Sequence, residues 1–326
     1  MSICKAVVLF LFASLVAAPV NSQTYPSKPV RLLIGNPPGG PSDFSLRGIA
    51  QVLGQSMNQS FVVENRIGAG GLIAGDACAK ATPDGYTLCM ADSFNIALNP
   101  VARKSMPYDP ERDYAAIIHT GFLPASIWVN AALPANSMAE LLELAKAKPD
   151  TVNWATFGNA SSSDLYVAWL KNVRNISFAN IPYKSAQDAW QAVLAGQSNI
   201  AVYASRAGLP QMNAGKVKML AISTDVRMAY VPNVPTLRES GIDVALITWF
   251  GIFTAAATPR EIVQRLNAEI AKGMFETPGN RDKFIAAQGL EVYGPVAAAP
   301  EVFAAFNRSQ REMYANLVRI AKIAIE

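Results

Sequence analysis

Histidine is almost absent from this sequence of 326 residues, which contains a single one, His119. A zinc site would need several such ligands, and a Ser-His-Asp triad would depend on this one imidazole. His119 lies beside Ile117 and Ile118 in a run typical of a strand. We therefore expect a packed histidine and no metal site.

Charged residues are also few. Asp, Glu, Lys and Arg make up 16% of the chain, and the formal net charge is +4. No basic run exceeds two residues, so the sequence argues against a nucleic-acid face. Hydrophobic residues make up 51% of the chain. This predicts a well-buried globular protein, and the length suggests about two domains.

The amino terminus is typical of a secretory signal. Lys5 supplies a positive charge, residues 6–18 form an apolar run too short to span a bilayer comfortably, and the residues around Ser22 fit a cleavage site. A retained membrane anchor is the alternative, and Cys4 argues against a lipoprotein because it precedes the apolar run. We expect removal of residues 1–22 and a soluble mature protein outside the cytoplasm.

Two cysteines remain once Cys4 is removed. Cys78 is predicted on the apolar side of a helix, and Cys89 at the end of an apolar strand. Export permits a disulfide between them, but the apolar surroundings favour two buried free thiols. Free thiols are the expectation, with the disulfide left open.

Strand and helix signals alternate along the chain, which predicts parallel strands with helices on both faces. No low-complexity linker separates the two halves, so we expect more than one crossover between two lobes. A short strand is also expected near Val292. The main predicted strands are 30–34, 61–63, 86–90, 127–129, 152–155, 178–181, 200–203, 219–222 and 245–253.

The loop at residues 36–43 carries the most information. Prolines stiffen its backbone, glycines leave the amides accessible, and a helix begins directly after it. A helix start offers unpaired N–H groups and a positive dipole end, so the loop predicts an anion site. The alternative is a plain turn with a proline stop. The candidate ligand-binding residues are Pro38, Gly39, Gly40, Ser42 and Asp43.

A second loop, residues 157–163, has the same construction. It follows a predicted strand, contains small and hydroxyl-bearing residues, and precedes a helix. It could hold a second polar group of a ligand, and its distance along the chain from the first loop suits facing lobes. The alternative is a capped turn. The candidates here are Phe157, Gly158, Asn159, Ser161 and Ser162.

A glycine-rich turn at residues 68–71 suggests a dinucleotide loop. The third small position of that pattern falls on Ile73, so the pattern fails, and no P-loop is present. We therefore expect no cofactor.

Two further side chains have two interpretations each. Arg206 lies in a loop of small residues and could hold a carboxylate through two parallel hydrogen bonds, or it is a solvated surface arginine. Trp249 ends a long apolar run and either forms a wall for the apolar part of a ligand or packs in the core. The sequence shows no acidic pair and no activated nucleophile, which argues against an enzyme.

Several short motifs occur in an order that matches one known family. They are Tyr-Pro-Ser-Lys-Pro-Val at 25–30, Pro-Pro-Gly-Gly-Pro-Ser-Asp at 37–43, Val-Glu-Asn-Arg at 63–66, Gly-Ala-Gly-Gly at 68–71, Pro-Asp-Gly-Tyr-Thr-Leu at 83–88, Met-Pro-Tyr-Asp at 106–109, Pro-Tyr-Lys at 182–184, Ala-Gly-Lys at 214–216 and Trp-Phe-Gly at 249–251. From about residue 25 to its end, the chain resembles the Bug-type periplasmic solute receptors of tripartite tricarboxylate transporters.

This resemblance implies an α/β fold of the type II periplasmic-binding-protein class, a Venus flytrap of two lobes with a ligand cleft between them. We expect residues 23–124 and 236–326 to form lobe 1 and residues 125–235 to form lobe 2. The resemblance also implies a bacterial periplasmic protein that delivers its ligand to a membrane permease with a large and a small subunit. We expect a monomer.

By motif, the resemblance assigns a ligand carboxylate to residues 38–43 and 158–163. It assigns a third binding segment to Asp92 and Ser93. These roles are expectations for this chain, carried over from matching positions.

Two departures from the family pattern lie where ligand identity could be set. Gly35 and Asn36 stand before Pro37, where the family usually has bulky residues or proline. Tyr203 replaces a common aspartate, and the loop after it gains Arg206. These changes suggest a ligand with a second negative group, which points to a dicarboxylate, aromatic ones included.

Two other functions stay open from the sequence. One is an exported receptor that reports its ligand to a membrane kinase without transport. The other is an exported hydrolase that uses Ser161 or Ser162 and needs His119 within reach of the serine.

Overall fold

The computed structural model describes residues 25–157, 161–244 and 246–323, so the predicted signal at residues 1–22 lies outside the described residues. The strands are β1 (Val30–Ile34), β2 (Phe61–Asn65), β3 (Thr87–Asp92), β4 (Tyr114–Leu123), β5 (Ala125–Asn130), β6 (Asn153–Phe157), β7 (Ala179–Tyr183), β8 (Ile200–Ala204), β9 (Val217–Ile222) and β10 (Thr248–Ala255).

Helices lie between most of these strands. They are α1 (Pro41–Met57), α2 (Leu72–Ala79), α3 (Asn99–Ala102), α4 (Pro110–Asp113), α5 (Met138–Ala147), α6 (Ser162–Arg174), α7 (Ala186–Leu194), α8 (Ser205–Asn213), α9 (Arg260–Ile270), α10 (Asn280–Phe284) and α11 (Pro300–Ile320). Two π-helical segments, Phe94–Leu98 and Ala271–Glu276, extend this set.

The strands form two five-stranded sheets with matching topology. The first sheet has the order β2-β1-β3-β10-β4, and the second has the order β7-β6-β8-β5-β9. In each sheet, the strand in second place is parallel to both of its neighbours. β1 and β6 are therefore equivalent strands, as are β3 and β8.

The prediction of parallel strands is wrong for two elements. β10 is antiparallel to β3 and β4, and β5 is antiparallel to β8 and β9. Each of these two strands arrives from the other sheet, so no crossover helix on its own sheet sets its direction. Hydrophobic periodicity reports burial of a strand and carries no information about its direction.

The chain passes between the sheets twice. Pro124 alone separates β4 from β5, and residues 223–247 return the chain from β9 to β10. The two passages touch, because Ser223 and Ala125 exchange hydrogen bonds of 2.9 and 3.1 Å. The short strand expected near Val292 is a single bridge between Phe122 and Glu291.

A disulfide bond joins Cys78 on α2 to Cys89 on β3, with the two Cα atoms 6.1 Å apart. The prediction of two free thiols is therefore wrong. Both residues are buried, as their apolar surroundings indicated. The sequence did not show that α2 packs against β3, and this packing brings the two thiols within bonding distance.

The helix α1 shows why these segments form these elements. Proline occupies its first helical position, where its fixed backbone angle is favourable and its missing N–H costs nothing. Leu46, Ile49 and Leu53 are fully buried and recur at helical spacing. The helix ends at Met57 and is followed by Asn58, whose φ of 50° is left-handed. Within the described residues, no helix has the length and apolar character that a bilayer-spanning segment needs.

Candidate functional site

The predicted ligand-binding residues gather at one edge of each sheet. The segments after β1 and β3 lie at the carboxyl ends of the second and third strands of the first sheet, and the segments after β6 and β8 hold the same places in the second. The prediction that Arg206 lies in a loop is wrong, because α8 begins at Ser205, directly after β8, and includes Arg206. Ligands of open α/β sheets bind at such strand ends. The loop after β1 and the loop after β6 are thus topologically equivalent, although over a hundred residues separate them.

The loop after β1 is held in shape by the carboxylate of Asp43. This carboxylate accepts hydrogen bonds from the backbone N–H of Gly39 at 3.0 Å and from the side chains of Arg47 and Asn65. Asn65 also donates to the carbonyl of Asn36 at the start of the loop. Burial alone would raise the pKa of Asp43, but these hydrogen bonds outweigh it and lower the pKa below its ordinary value. The site therefore holds an ionised Asp43 that orders the loop.

The start of α1 has the properties of an anion site. Gly40 precedes the helix in an extended conformation and makes no side-chain cap, so the N–H groups of the first turn have no side-chain partner from that position. A Cβ built on Gly40 would meet only the carbonyl of Pro37, at 3.8 Å, and one built on Gly39 would meet no atom within 4 Å. Open space thus lies over the positive end of a long helix.

Close packing of the backbone explains why position 35 is a glycine. A Cβ at this position would lie 2.5 Å from the Cα of Gly71. The departure from the usual bulky residue therefore lets the end of β1 approach the glycine turn at residues 68–71.

The loop after β6 leads into α6. Ser161 precedes the helix, and its hydroxyl oxygen accepts a hydrogen bond of 3.3 Å from the N–H of Asp164 and lies 3.0 Å from the hydroxyl of Ser163. Ser162 is buried, and Phe157 ends β6 half-buried. The predicted residues Gly158 and Asn159 lie outside the described residues. The described part of the loop is a capped helix start, the alternative that the sequence left open.

Asp92 and Ser93 form the turn after β3. One carboxylate oxygen of Asp92 accepts hydrogen bonds from the backbone and side-chain N–H groups of Asn95, at 3.0 and 2.9 Å. Burial raises the pKa of Asp92 despite these hydrogen bonds. Ser93 is fully buried. Asp92 therefore orders the turn through Asn95, and contact of Asp92 and Ser93 with a ligand stays a prediction.

The side chains after β8 have partners that the sequence did not reveal. Tyr203 stacks on Trp190 with ring centroids 4.7 Å apart, and its hydroxyl donates to Gln187. The guanidinium of Arg206 donates to the carboxylate of Glu291 at 2.8 Å and lies 4.1 Å from the ring centroid of Tyr230. Arg206 is therefore engaged in an ion pair. Glu291 lies 85 positions away, so no local sequence signal could have identified it.

Trp249 is completely buried and belongs to the core. Its indole N–H donates to Gln310 at 3.3 Å, and its rings pack against Phe303 and Phe306 of α11. This packing corresponds to the core interpretation of the sequence and corrects the expectation of a ligand wall. Trp249 is at the same sheet edge as the loops, because β10 is antiparallel and begins where β3 ends.

His119 is a packed histidine, as predicted. It is completely buried on β4, and neither ring nitrogen has a hydrogen-bond partner among the described residues. Burial lowers the pKa of His119 to about 3. Four aromatic rings pack against it, those of Phe122, Trp249, Phe303 and Phe306. This environment gives Ser161 or Ser162 no general base from His119.

The family model that matches this chain is described as Tripartite tricarboxylate transporter family receptor, and it covers residues 46–314. A curated relative, Protein BugT of Bordetella pertussis, is 31% identical over 313 residues, which cover 95% of this chain and 94% of BugT. Both comparisons extend over most of the described residues.

Two solved structures share the fold. R. palustris Rpa4515, solved with adipate, has a TM-score of 0.78 and 26% identity, covering 93% of this chain and 100% of that chain. MatC from Rhodopseudomonas palustris, with bound malate, has a TM-score of 0.75 and 25% identity, covering 90% and 100%. The predicted two-lobed α/β fold is confirmed. The chain therefore belongs to the tripartite tricarboxylate transporter family of receptors.

Proposed function

We propose that this chain captures a small dicarboxylate between its two lobes in the periplasm and delivers it to a membrane permease. The observation that carries the proposal is the equivalence of the loops after β1 and β6, each of which follows the second strand of its sheet and leads into a long helix. A ligand held by both loops would join the two lobes, taken as residues 23–124 with 236–326, and residues 125–235.

One carboxylate of the ligand binds over the start of α1. The backbone N–H groups of the first turn and the positive helix end stabilise it, and Gly39 and Gly40 let it approach the backbone. Asp43 orders the loop and does not contact the ligand, because its carboxylate is already shared between Gly39, Arg47 and Asn65. This role differs from the direct contact expected from the motif alone.

Residues of the second lobe hold the other end. Ser161 and Ser162 lie at the start of α6, whose positive dipole end attracts an anion. Unlike α1, this helix start has a side-chain cap, because the Ser161 hydroxyl already accepts from the N–H of Asp164. Arg206 is the cation nearest in sequence to the end of β8, and it would exchange part of its contact with Glu291 for a second carboxylate. Adipate and malate, the molecules bound to the two related proteins, are both dicarboxylates.

Closure of the lobes is the mechanism. The passages at Pro124 and at residues 223–247 act as the hinge, and a ligand that contacts both loops favours the closed state. Micromolar affinity corresponds to about 8 kcal/mol, which a few charge-assisted hydrogen bonds and one buried apolar face can supply. The closed, loaded receptor is the form that the permease recognises.

The proposal makes the chain a monomeric binding protein without catalytic activity. A sensor that reports to a membrane kinase would use the same cleft, so the transport role needs its own test. Deletion of the gene should abolish uptake of the ligand, whereas a sensor mutant would keep uptake and lose a transcriptional response.

Calorimetry on the mature protein tests the ligand class. We expect adipate or malate to bind at least about tenfold more tightly than hexanoate or propionate, and small-angle scattering to show a smaller radius of gyration with ligand. Equal affinity for mono- and dicarboxylates would contradict the dicarboxylate assignment. Tight binding without a change in radius would contradict closure.

A further inference from the structure

A cavity of about 370 Å³ lies between the second passage of the chain and helix α11. None of the predicted ligand-binding residues lines it. Its walls include Phe122 at the end of β4, Ser223 directly after β9, and Met313 on α11. The cavity is thus separate from the loops after β1 and β6, and its size is that of small-molecule sites.

One wall of the cavity is flat and aromatic. Phe122 and Tyr293 stack with ring centroids 4.3 Å apart and an interplanar angle of 9°. Phe306 meets Phe122 edge-on, with centroids 5.9 Å apart. Such a surface favours a planar or branched apolar group over a short polar chain.

The other wall carries charges of both signs. Arg238 lies 3.8 Å from a carboxylate oxygen of Asp225 and 3.5 Å from one of Asp243. These distances exceed those of direct charge-assisted hydrogen bonds, so the three side chains keep hydrogen-bonding capacity toward a ligand. Two carboxylates against one guanidinium disfavour a dicarboxylate in this cavity.

Gln310 adds a neutral donor to the lining. Its carbonyl oxygen accepts from the indole N–H of Trp249 at 3.3 Å, so its two amide N–H groups are free of that contact and can donate to a carboxylate.

We propose that this cavity is a second ligand site that takes an α-amino acid with an aromatic or branched apolar side chain. The carboxylate of the amino acid pairs with Arg238 and the amide of Gln310, and its ammonium group pairs with Asp225 and Asp243. The side chain packs on the stacked rings of Phe122 and Tyr293. A zwitterion with an apolar body complements both the guanidinium and the carboxylates of the lining as well as its aromatic wall, whereas an amine or an acid alone complements charges of one sign only.

The position of the cavity predicts coupling to the cleft. Phe122 belongs to the first sheet, and residues of the second hinge passage, 223–247, form the facing wall, so the cavity is lined by lobe 1 and by the hinge itself. A change in the angle between the lobes alters the cavity, and an amino acid bound there shifts the hinge equilibrium. Linkage makes this coupling reciprocal: the bound amino acid and the bound dicarboxylate each change the affinity of the protein for the other ligand by the same factor.

Calorimetry with three probes tests the site. We expect L-phenylalanine to bind, and 3-phenylpropanoate and 2-phenylethylamine, which each lack one of its charges, to bind at least about tenfold more weakly. Equal binding of all three would overturn the zwitterion assignment, and no binding of L-phenylalanine or L-leucine at millimolar concentration would overturn the site.

Variants locate the binding. Arg238→Gln and Asp243→Asn change exposed side chains, and each should weaken the binding of L-phenylalanine by about tenfold. Arg281→Gln and Asp282→Asn alter another exposed pair, 3.7 Å apart, and should leave its binding unchanged. L-phenylalanine binding that Gly40→Ala abolishes and Arg238→Gln preserves would place the amino acid in the cleft and contradict the proposal.

Discussion

The carboxylate of Asp43 accepts a hydrogen bond of 3.0 Å from the backbone N–H of Gly39, four residues earlier in the chain. Asp43 is buried in the first turn of α1, whereas Gly39 is exposed and has a left-handed φ of 85°. The same carboxylate accepts from Arg47 and Asn65. The acid therefore fixes the loop over the helix start before any ligand arrives, which lowers the entropic cost of binding.

Replacement of Asp43 by asparagine tests this role. Asp43→Asn keeps the size of the side chain but removes its charge, so we expect a loss of about 1–3 kcal/mol in the free energy of unfolding and weaker dicarboxylate binding. Because the folded pKa of Asp43 is lowered, its contribution is present at neutral pH and is lost as pH falls below about 4. Urea unfolding and calorimetry measure the two effects.

Glu143→Gln is the matched control for Asp43→Asn. Glu143 pairs with Lys146 within α5, and both side chains are exposed. It should change stability by less than about 0.5 kcal/mol and leave binding unchanged. If Asp43→Asn bound the ligand normally, the loop would not depend on this carboxylate.

Alanine at position 40 tests whether the open space over α1 receives the ligand. Gly40 has a φ of −77°, and its added Cβ would meet nothing closer than 3.8 Å. Because alanine is a poorer N-cap residue than glycine, we expect Gly40→Ala to fold with a loss of about 1 kcal/mol in the free energy of unfolding. We expect its affinity for the dicarboxylate to fall by about tenfold or more, because the methyl group occupies space that the ligand needs.

Gly54→Ala, in the same helix, is the control for Gly40→Ala. It replaces glycine in a helix interior and should raise stability by about 0.5–1 kcal/mol with normal binding. Unchanged ligand affinity in Gly40→Ala, measured by calorimetry, would contradict the proposed site at α1.

Substitution of Arg206 and substitution of its partner Glu291 should change the affinity for a dicarboxylate in opposite directions. Arg206→Ala should weaken the binding of a dicarboxylate by about tenfold and should change the binding of a monocarboxylate of equal length little. Only the dicarboxylate has a second charged group that would lose its partner. Glu291→Gln removes the competing carboxylate and should strengthen dicarboxylate binding several-fold.

Arg260→Ala is the control for this pair. Arg260 is an exposed arginine that pairs with Glu301 outside the hinge, so its removal should leave the binding of both ligands unaffected. Equal losses of affinity for the mono- and the dicarboxylate in Arg206→Ala, measured by calorimetry, would show that Arg206 acts through its ion pair with Glu291, which joins the two proposed lobes, and does not bind a second acid group.

The sequence predicts best those features of the site whose residues are neighbours in the chain. The loop at residues 36–43 was predicted because its prolines, glycines and helix start are neighbours. Asn65 was missed as a member of the same network, since it lies 22 positions from Asp43. Glu291 was missed for the same reason, being 85 positions from Arg206. Such partners depend on how the sheets place distant segments.

The directions of β5 and β10 and the pairing of the two cysteines were missed because they are tertiary properties. An apolar run predicts a buried strand in either direction. An apolar environment around Cys78 and Cys89 predicts burial of both thiols and says nothing of their separation, which the packing of α2 on β3 decides.

The disulfide should stabilise the first lobe. It closes a short loop, since the cysteines are 11 positions apart, and the chain-entropy model gives a contribution of about 3 kcal/mol for such a loop. We expect the double variant Cys78→Ser with Cys89→Ser to lose stability of that order in urea unfolding. Wild-type protein in reductant should lose a similar amount, and detection of two free thiols in the unreduced protein would contradict the disulfide.

Because His119 is buried, the protein should become less stable as the pH is lowered below about 6.5. Its pKa is lowered to about 3 in the folded state, whereas an unfolded chain binds a proton with a pKa of about 6.5. Between these values the unfolded state carries the extra proton, so stability is complete above pH 6.5 and falls as the pH is lowered toward 3. At pH 5 the loss is about 2 kcal/mol.

Phenylalanine in place of His119 isolates this effect. The site is lined by aromatic rings, so His119→Phe should fold, and its unfolding free energy should exceed that of the wild type by about 2 kcal/mol more at pH 5 than at pH 7.5. Because the sequence has one histidine, its proton resonance gives an independent reading. A folded-state resonance that titrates near pH 6.5 would contradict the lowered pKa, and so would identical pH dependence of the two proteins.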